Sequence, residues 1–168
     1  MDTAIGAVEI VFRLIPLLLV LGTAVMGLIV CLNNITAPGA NLRFVEHIMT
    51  MDTTNMDRGT QWREVRSPML HRAAFVTILA FEMAVTVLGL VGSYFLAVNL
   101  TAAGDAWESA KLFGYLTFIA ALVVWFLIIQ VVGAEWYVSW QSEKWNAIRD
   151  SIRINLITIA GIILLRLS

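Results

Sequence analysis

Residues 14–32 read LIPLLLVLGTAVMGLIVCL, nineteen consecutive positions without a formal charge. At about 1.5 Å per residue a helix of that length reaches close to the ~30 Å thickness of a bilayer's hydrocarbon layer. In hydrocarbon every backbone N–H and C=O must be satisfied within its own element, so the stretch is a membrane-crossing helix. Its span runs over about 12–32, and three more follow at about 73–98, 112–133 and 150–166. The last is the weakest, because only the twelve residues between Arg153 and Arg166 are free of charge. It spans if those long arginine stems snorkel to the interface. The expected fold is all-α: an integral membrane antiparallel four-helix bundle forming a single transmembrane domain over 1–168. The segments 33–72 and 134–149 form an ordered extramembrane cap on it.

Composition agrees. The chain is 60% hydrophobic and 14% charged, with a mean hydropathy of +0.83, whereas a soluble domain carries about 25% charged residues. A net charge of −1 provides no basic field, which excludes nucleic acid as a partner. The lone Cys31 cannot form a disulfide within the chain and reads as a small packing residue. The first apolar run also exceeds the roughly 7–15 residues of a signal-peptide core, so it reads as a retained helix.

Small residues recur at helical spacing within the spans: Gly22, Thr23 and Gly27, then Gly89 and Ser93, then Thr117 and Ala121, then Thr158 and Gly161. Such positions let helix backbones approach where lipid removes any hydrophobic drive to associate. Gly22, Thr23, Gly27, Gly89 and Ser93 are therefore the candidate helix-packing residues.

Glu82 lies about ten residues into the second span, roughly 15 Å below that interface. An acidic residue at mid-helix costs about 3 kcal/mol on insertion scales, so it must face protein, be protonated or find a partner. Matching depths across the first two spans places Gly22 and Thr23 opposite it. A proton-carrying or ligand-binding acid and a hydrogen-bonded packing carboxyl are the two readings.

The histidines His47 and His71 both fall outside the spans, which argues against a haem held between two membrane helices. With Met51 and Asp52 they are the candidate metal ligands, although no HExxH or CxxC spacing supports a site. The segment GAEWYVSWQSEKWNAIRD, residues 133–150, clusters Trp136, Tyr137, Trp140 and Trp145. Rings with a polar N–H or O–H settle at headgroup level, making an interfacial anchor the default. A surface for a quinone, a lipid or a partner subunit, with Glu135 as its polar handle, is the alternative. Ser142-Glu143 reads as a helix start. Pro38-Gly39 and Ser67-Pro68 mark turns in the long segment, and Asn34-Ile35-Thr36 matches a glycosylation sequon.

The motifs NNIT, FVEHIMTMDTT, WREVRSPMLHRAAF, the Phe81-Glu82 pair and GAEWYVSWQSEKWN resemble the bacterial small integral membrane proteins grouped as a family of unknown function. The resemblance implies a four-span protein of the bacterial inner membrane and no particular activity. Its pattern falls on Asn33, Asn34, His47, Met51, Asp52, Trp62, His71, Glu82, Glu135, Trp136, Trp140, Gln141 and Trp145. It also implies a cytoplasmic 99–111 connection, with cytoplasmic termini and periplasmic long segments. In this chain Lys111 is the one basic residue of that connection, and the eight basic residues on the long-segment side point the other way.

With no nucleophile–base pair, phosphate loop or paired histidine ligands, the sequence points away from an enzyme. The leading expectation is a non-catalytic accessory subunit, inside a bacterial inner-membrane complex or a homo-oligomer, in contact with lipid and a membrane-protein partner. The alternative is a small-ligand, quinone, metal-ion or proton-handling protein using Glu82, His71 and the Glu135, Trp136, Trp140 and Trp145 region. No cofactor is expected under the first reading; a quinone, a lipid or a metal ion enters only under the second.

Overall fold

A computed structural model describes residues 5–54, 58–102, 104–146 and 148–168, and among them every regular element is helical. Helix α1 covers Ala7–Thr36, α2 covers Pro38–Thr50, and a 3₁₀ turn at Arg58–Arg63 leads to α3, Pro68–Val98. A short α4, Asp105–Ala110, precedes α5, Leu112–Leu122. The chain continues as a π-helical segment, Val123–Trp136, whose wider winding closes with the Tyr137 N–H donating to the Val132 carbonyl at 3.1 Å. A 3₁₀ turn at Ser139–Gln141 and helix α6, Ile148–Leu167, complete it.

Both prolines that mark turns in the long segment begin helices. Pro38 and Pro68 occupy the first helical position, where the missing N–H would have had no partner and the fixed φ suits the helix. The expected helix start at Ser142 is displaced to Ile148. Ser142 Oγ does accept the Trp145 N–H at 3.0 Å, but it also receives the Thr53 hydroxyl at 2.9 Å, and the Ile148 N–H is taken instead by the Asn146 side chain at 3.0 Å.

Three helical stretches are long and apolar enough to cross a membrane: Ala7–Thr36, Pro68–Val98 and Asp105–Trp136, of 30, 31 and 32 residues. Within their most apolar windows only 28–39% of residues are buried inside the protein, so most of that apolar surface faces outward and belongs against lipid. Helix α6 has 20 residues with charges at both ends, and it packs on α1, α5 and the π-helical segment.

Helix α3 sits between α1 and α5 at distances only glycine allows. A Cβ on Gly89 would stand 2.6 Å from that of Ala24, and one on Gly92 would stand 2.9 Å from the backbone at Phe113 and Gly114. A Cβ on Gly27 would come within 2.8 Å of Thr86 Oγ1, and Gly161 lies against the ring of Phe118. These close approaches are what small residues provide between membrane helices. Gly22 departs from its expected role, since a Cβ there would meet nothing within 4 Å; it opens onto a surface groove beside Ile157 and Thr158. The hydroxyls of Thr23, Thr86, Ser93, Thr117 and Thr158 each bond to the carbonyl four residues earlier in their own helix. Their donors are thereby used within their own helices, and their small size is what lets the neighbouring helix approach.

A cross-helix polar pair joins α6 to the π-helical segment: the Asn155 side-chain amide donates to Gln130 Oε1 at 2.9 Å. At the end of the molecule formed by α4, Arg13 lies over the Trp107 ring at 4.5 Å and bonds to Glu9 at 2.6 Å and to the Leu100 carbonyl at 3.2 Å. Lys111 pairs with Glu108 at 2.7 Å, and Trp107 Nε1 donates to the Ser168 carbonyl at 2.9 Å. Trp107 is thereby held between cations of two elements while tying down the end of α6.

Candidate functional site

At the opposite end, α2 and the turns around Val65 and Val138 lie over the helices as a cap, centred on the buried cluster Ile48, Met51, Tyr137 and Val138. Met51 and Val138 both hold left-handed backbone, at φ 51° and φ 50°. For β-branched Val138 this conformation is costly, and it persists because the packing around it leaves no alternative.

Glu82 lies under this cap, 5% exposed. A helical side chain leans toward its own helix's N-terminus, so the carboxylate reaches back along α3 toward the cap. There Asn34, in the last turns of α1, donates its side-chain amide to Glu82 Oε2 at 2.6 Å. Asn41, in the first turn of α2, donates in turn to Asn34 Oδ1. Three elements thus converge on one acid through a carboxamide relay. Thr23, expected to face Glu82, lies a full turn too deep: Gly27 is the residue seated against the Glu82 backbone, and Ala24 already faces Gly89. Depth matching placed backbones correctly to within a turn but omitted the lean of the side chain.

The acid lines a chamber of about 100 Å³ together with Asn34 and Asn41, walled by Phe44, Val45, Ile78 and Ile129. The same four apolar residues line a neighbouring cavity of about 130 Å³, whose other walls include Ile48, Val132 and Tyr137. A polar chamber and an apolar one therefore stand back to back. Apolar cavities near 150 Å³ hold a single six-membered ring. Tyr137, a cap side chain lining the apolar chamber, is buried, and burial pushes its phenol up from its ordinary value.

The cap residues flagged in the sequence are not brought into one group. His71 is 4% exposed, with its Nε2 2.7 Å from the Val65 carbonyl, so it fastens the start of α3 to the preceding loop. His47 bonds to Asp52 at 2.7 Å and stacks on Trp145 with centroids 4.5 Å apart. Met51 is a buried cap residue. Among the described residues no three His, Cys, Asp or Glu side chains are placed to hold a metal ion. Trp136 is 45% exposed and meets Trp62 edge to face at 5.8 Å, while Trp140 stands 46% exposed on the same cap. Glu135 lies beside them in a surface groove.

Sequence reasoning missed Asn41, Gln130 and Asn155. Each was visible as a carboxamide in or beside an apolar stretch, a placement that demands a partner. Asn34 was named in a sequon and in the family pattern, without a link to Glu82; it is 3% exposed with its amide engaged, so it is not presented for glycosylation.

The family described as predicted small integral membrane protein (DUF2165) matches residues 12–168. No curated protein and no solved structure matches the chain.

Proposed function

Because the chain belongs to this family of small integral membrane proteins, we propose that it holds a small lipophilic molecule beneath its cap, with Glu82 as the polar contact. The observation that carries this reading is the pairing of chambers: an acid with its carboxamide relay in one, a ring-sized apolar cavity in the next, sharing four wall residues. A ring bearing hydrogen-bonding oxygens and an apolar tail, as in an isoprenoid quinone, fits that division. The carboxyl can donate or accept one proton at such an oxygen. Around the site stands a single domain of four antiparallel spans in the bacterial inner membrane, with α6 as the fourth, termini in the cytoplasm and the cap in the periplasm.

Titrating the purified protein in mild detergent with a short-tailed benzoquinone, followed by tryptophan quenching, tests the site. Saturable binding that weakens about tenfold in Glu82→Gln, one hydrogen bond to a charged group, is expected. No saturable binding to the wild type overturns the reading.

A second reading, an accessory subunit of a larger membrane complex or of a homo-oligomer, is supported by the exposed Trp62, Trp136 and Trp140 on one cap, residue types that anchor interfaces. Recovery in mild detergent as a lone monomer with no stoichiometric companion overturns it.

A further inference from the structure

A second site lies where the π-helical segment meets the cap, sharing Val132 and Tyr137 with the apolar chamber while its charged residues, Arg63 and Glu135, line neither Glu82 chamber. A groove of about 500 Å³ is lined by Arg63, Val131, Val132, Glu135, Trp136 and Tyr137. Its lower wall is lipid-facing, since Val131 and Val132 are 41% and 45% exposed at the end of an apolar stretch long enough to cross a membrane. Its upper wall is aromatic, the composition of the headgroup level.

The Arg63 guanidinium lies over two indole faces, 5.4 Å from the Trp62 ring and 4.7 Å from that of Trp136. One terminal nitrogen donates to the Trp136 carbonyl at 3.1 Å, and Nε is buried without a partner. Glu135 lines the same groove and, among the described residues, makes no hydrogen bond or ion pair with Arg63. The groove therefore presents one cation and one anion that are not in direct contact with each other. That pattern complements a molecule carrying both charges: guanidinium is a strong partner for phosphate oxygens, and a carboxylate accepts from a primary ammonium.

We propose that this groove seats the headgroup of a phospholipid with a primary amine, phosphatidylethanolamine, its phosphate on Arg63, its ammonium on Glu135 and the indole of Trp136, and its acyl chain along Val131 and Val132. Phosphatidylcholine offers Glu135 no N–H donor, and an anionic lipid such as phosphatidylglycerol meets its repulsion. The headgroup selectivity rests on Arg63 and Glu135, which line neither Glu82 chamber.

Native mass spectrometry of the full chain, titrated in detergent with the three lipids carrying matched acyl chains, tests it. The wild type is expected to retain phosphatidylethanolamine about tenfold over the other two, the order of one charge-assisted hydrogen bond. Glu135→Gln, a change at an exposed and unpartnered side chain, is expected to level phosphatidylethanolamine with phosphatidylcholine, and Arg63→Gln to weaken retention of all three. Equal retention of the three lipids by the wild type, a preference for phosphatidylglycerol, or an amine preference that survives Glu135→Gln overturns the proposal.

Discussion

Glu82 shows how one polar residue recruits others. Its carboxylate receives the Asn34 amide, whose own oxygen receives Asn41, so the three stand or fall together. Asn34→Ala removes a donor from the acid and an acceptor from Asn41. It is expected to cost about 1–3 kcal/mol, the price of buried polar groups left unmade, read as a lower thermal midpoint in detergent. Glu82→Gln keeps an acceptor oxygen for Asn34 and should leave the midpoint nearly unchanged, so folding and ligand effects separate. Tyr137 supplies a pH test. Its phenol is raised by burial, so the folded chain keeps that proton to higher pH than the unfolded one. The associated stability is complete below the ordinary tyrosine value of about 10 and drains as pH climbs through the raised folded value. Tyr137→Phe should abolish that alkaline loss, measured by thermal unfolding across about pH 8 to 11.

Between elements, glycines set the separations. The spacing of small residues in the sequence marked Gly27 and Gly89 as packing sites, and both meet α1 or α3 neighbours closer than any side chain would permit. Gly22 fits the same spacing and faces open space, because a stripe of small residues covers more of a helix's circumference than one neighbour can occupy. Gly89→Val is therefore expected to destabilise by about 1–3 kcal/mol through overpacking, while Gly22→Val should change the midpoint little. The two variants compared in one thermal-unfolding series check this. Asn155→Leu should cost little more than half a kcal/mol, since polar pairs in membranes average about 0.6 kcal/mol.

Across the whole molecule, apolar surface turned outward by three long helices makes the membrane its solvent, and one cap closes over the ends of α1 and α3. Should the proposed orientation hold, a fluorescent protein fused after Ser168 glows in the cytoplasm and alkaline phosphatase at the same place stays inactive; the reverse result inverts the topology. Hydropathy by itself determined that the chain is helical and membrane-embedded, because the demand for backbone satisfaction in lipid leaves few alternatives. It also marked Glu82 as a residue needing a partner, since a carboxylate in an apolar run is costly wherever its helix packs. Only the tertiary structure decided which partner: register between α1 and α3 depends on side-chain lean and glycine contacts summed over both helices. Asn34 and Asn41 reach the acid through a helix boundary at Pro38, an arrangement in which no single residue's polarity names its neighbour.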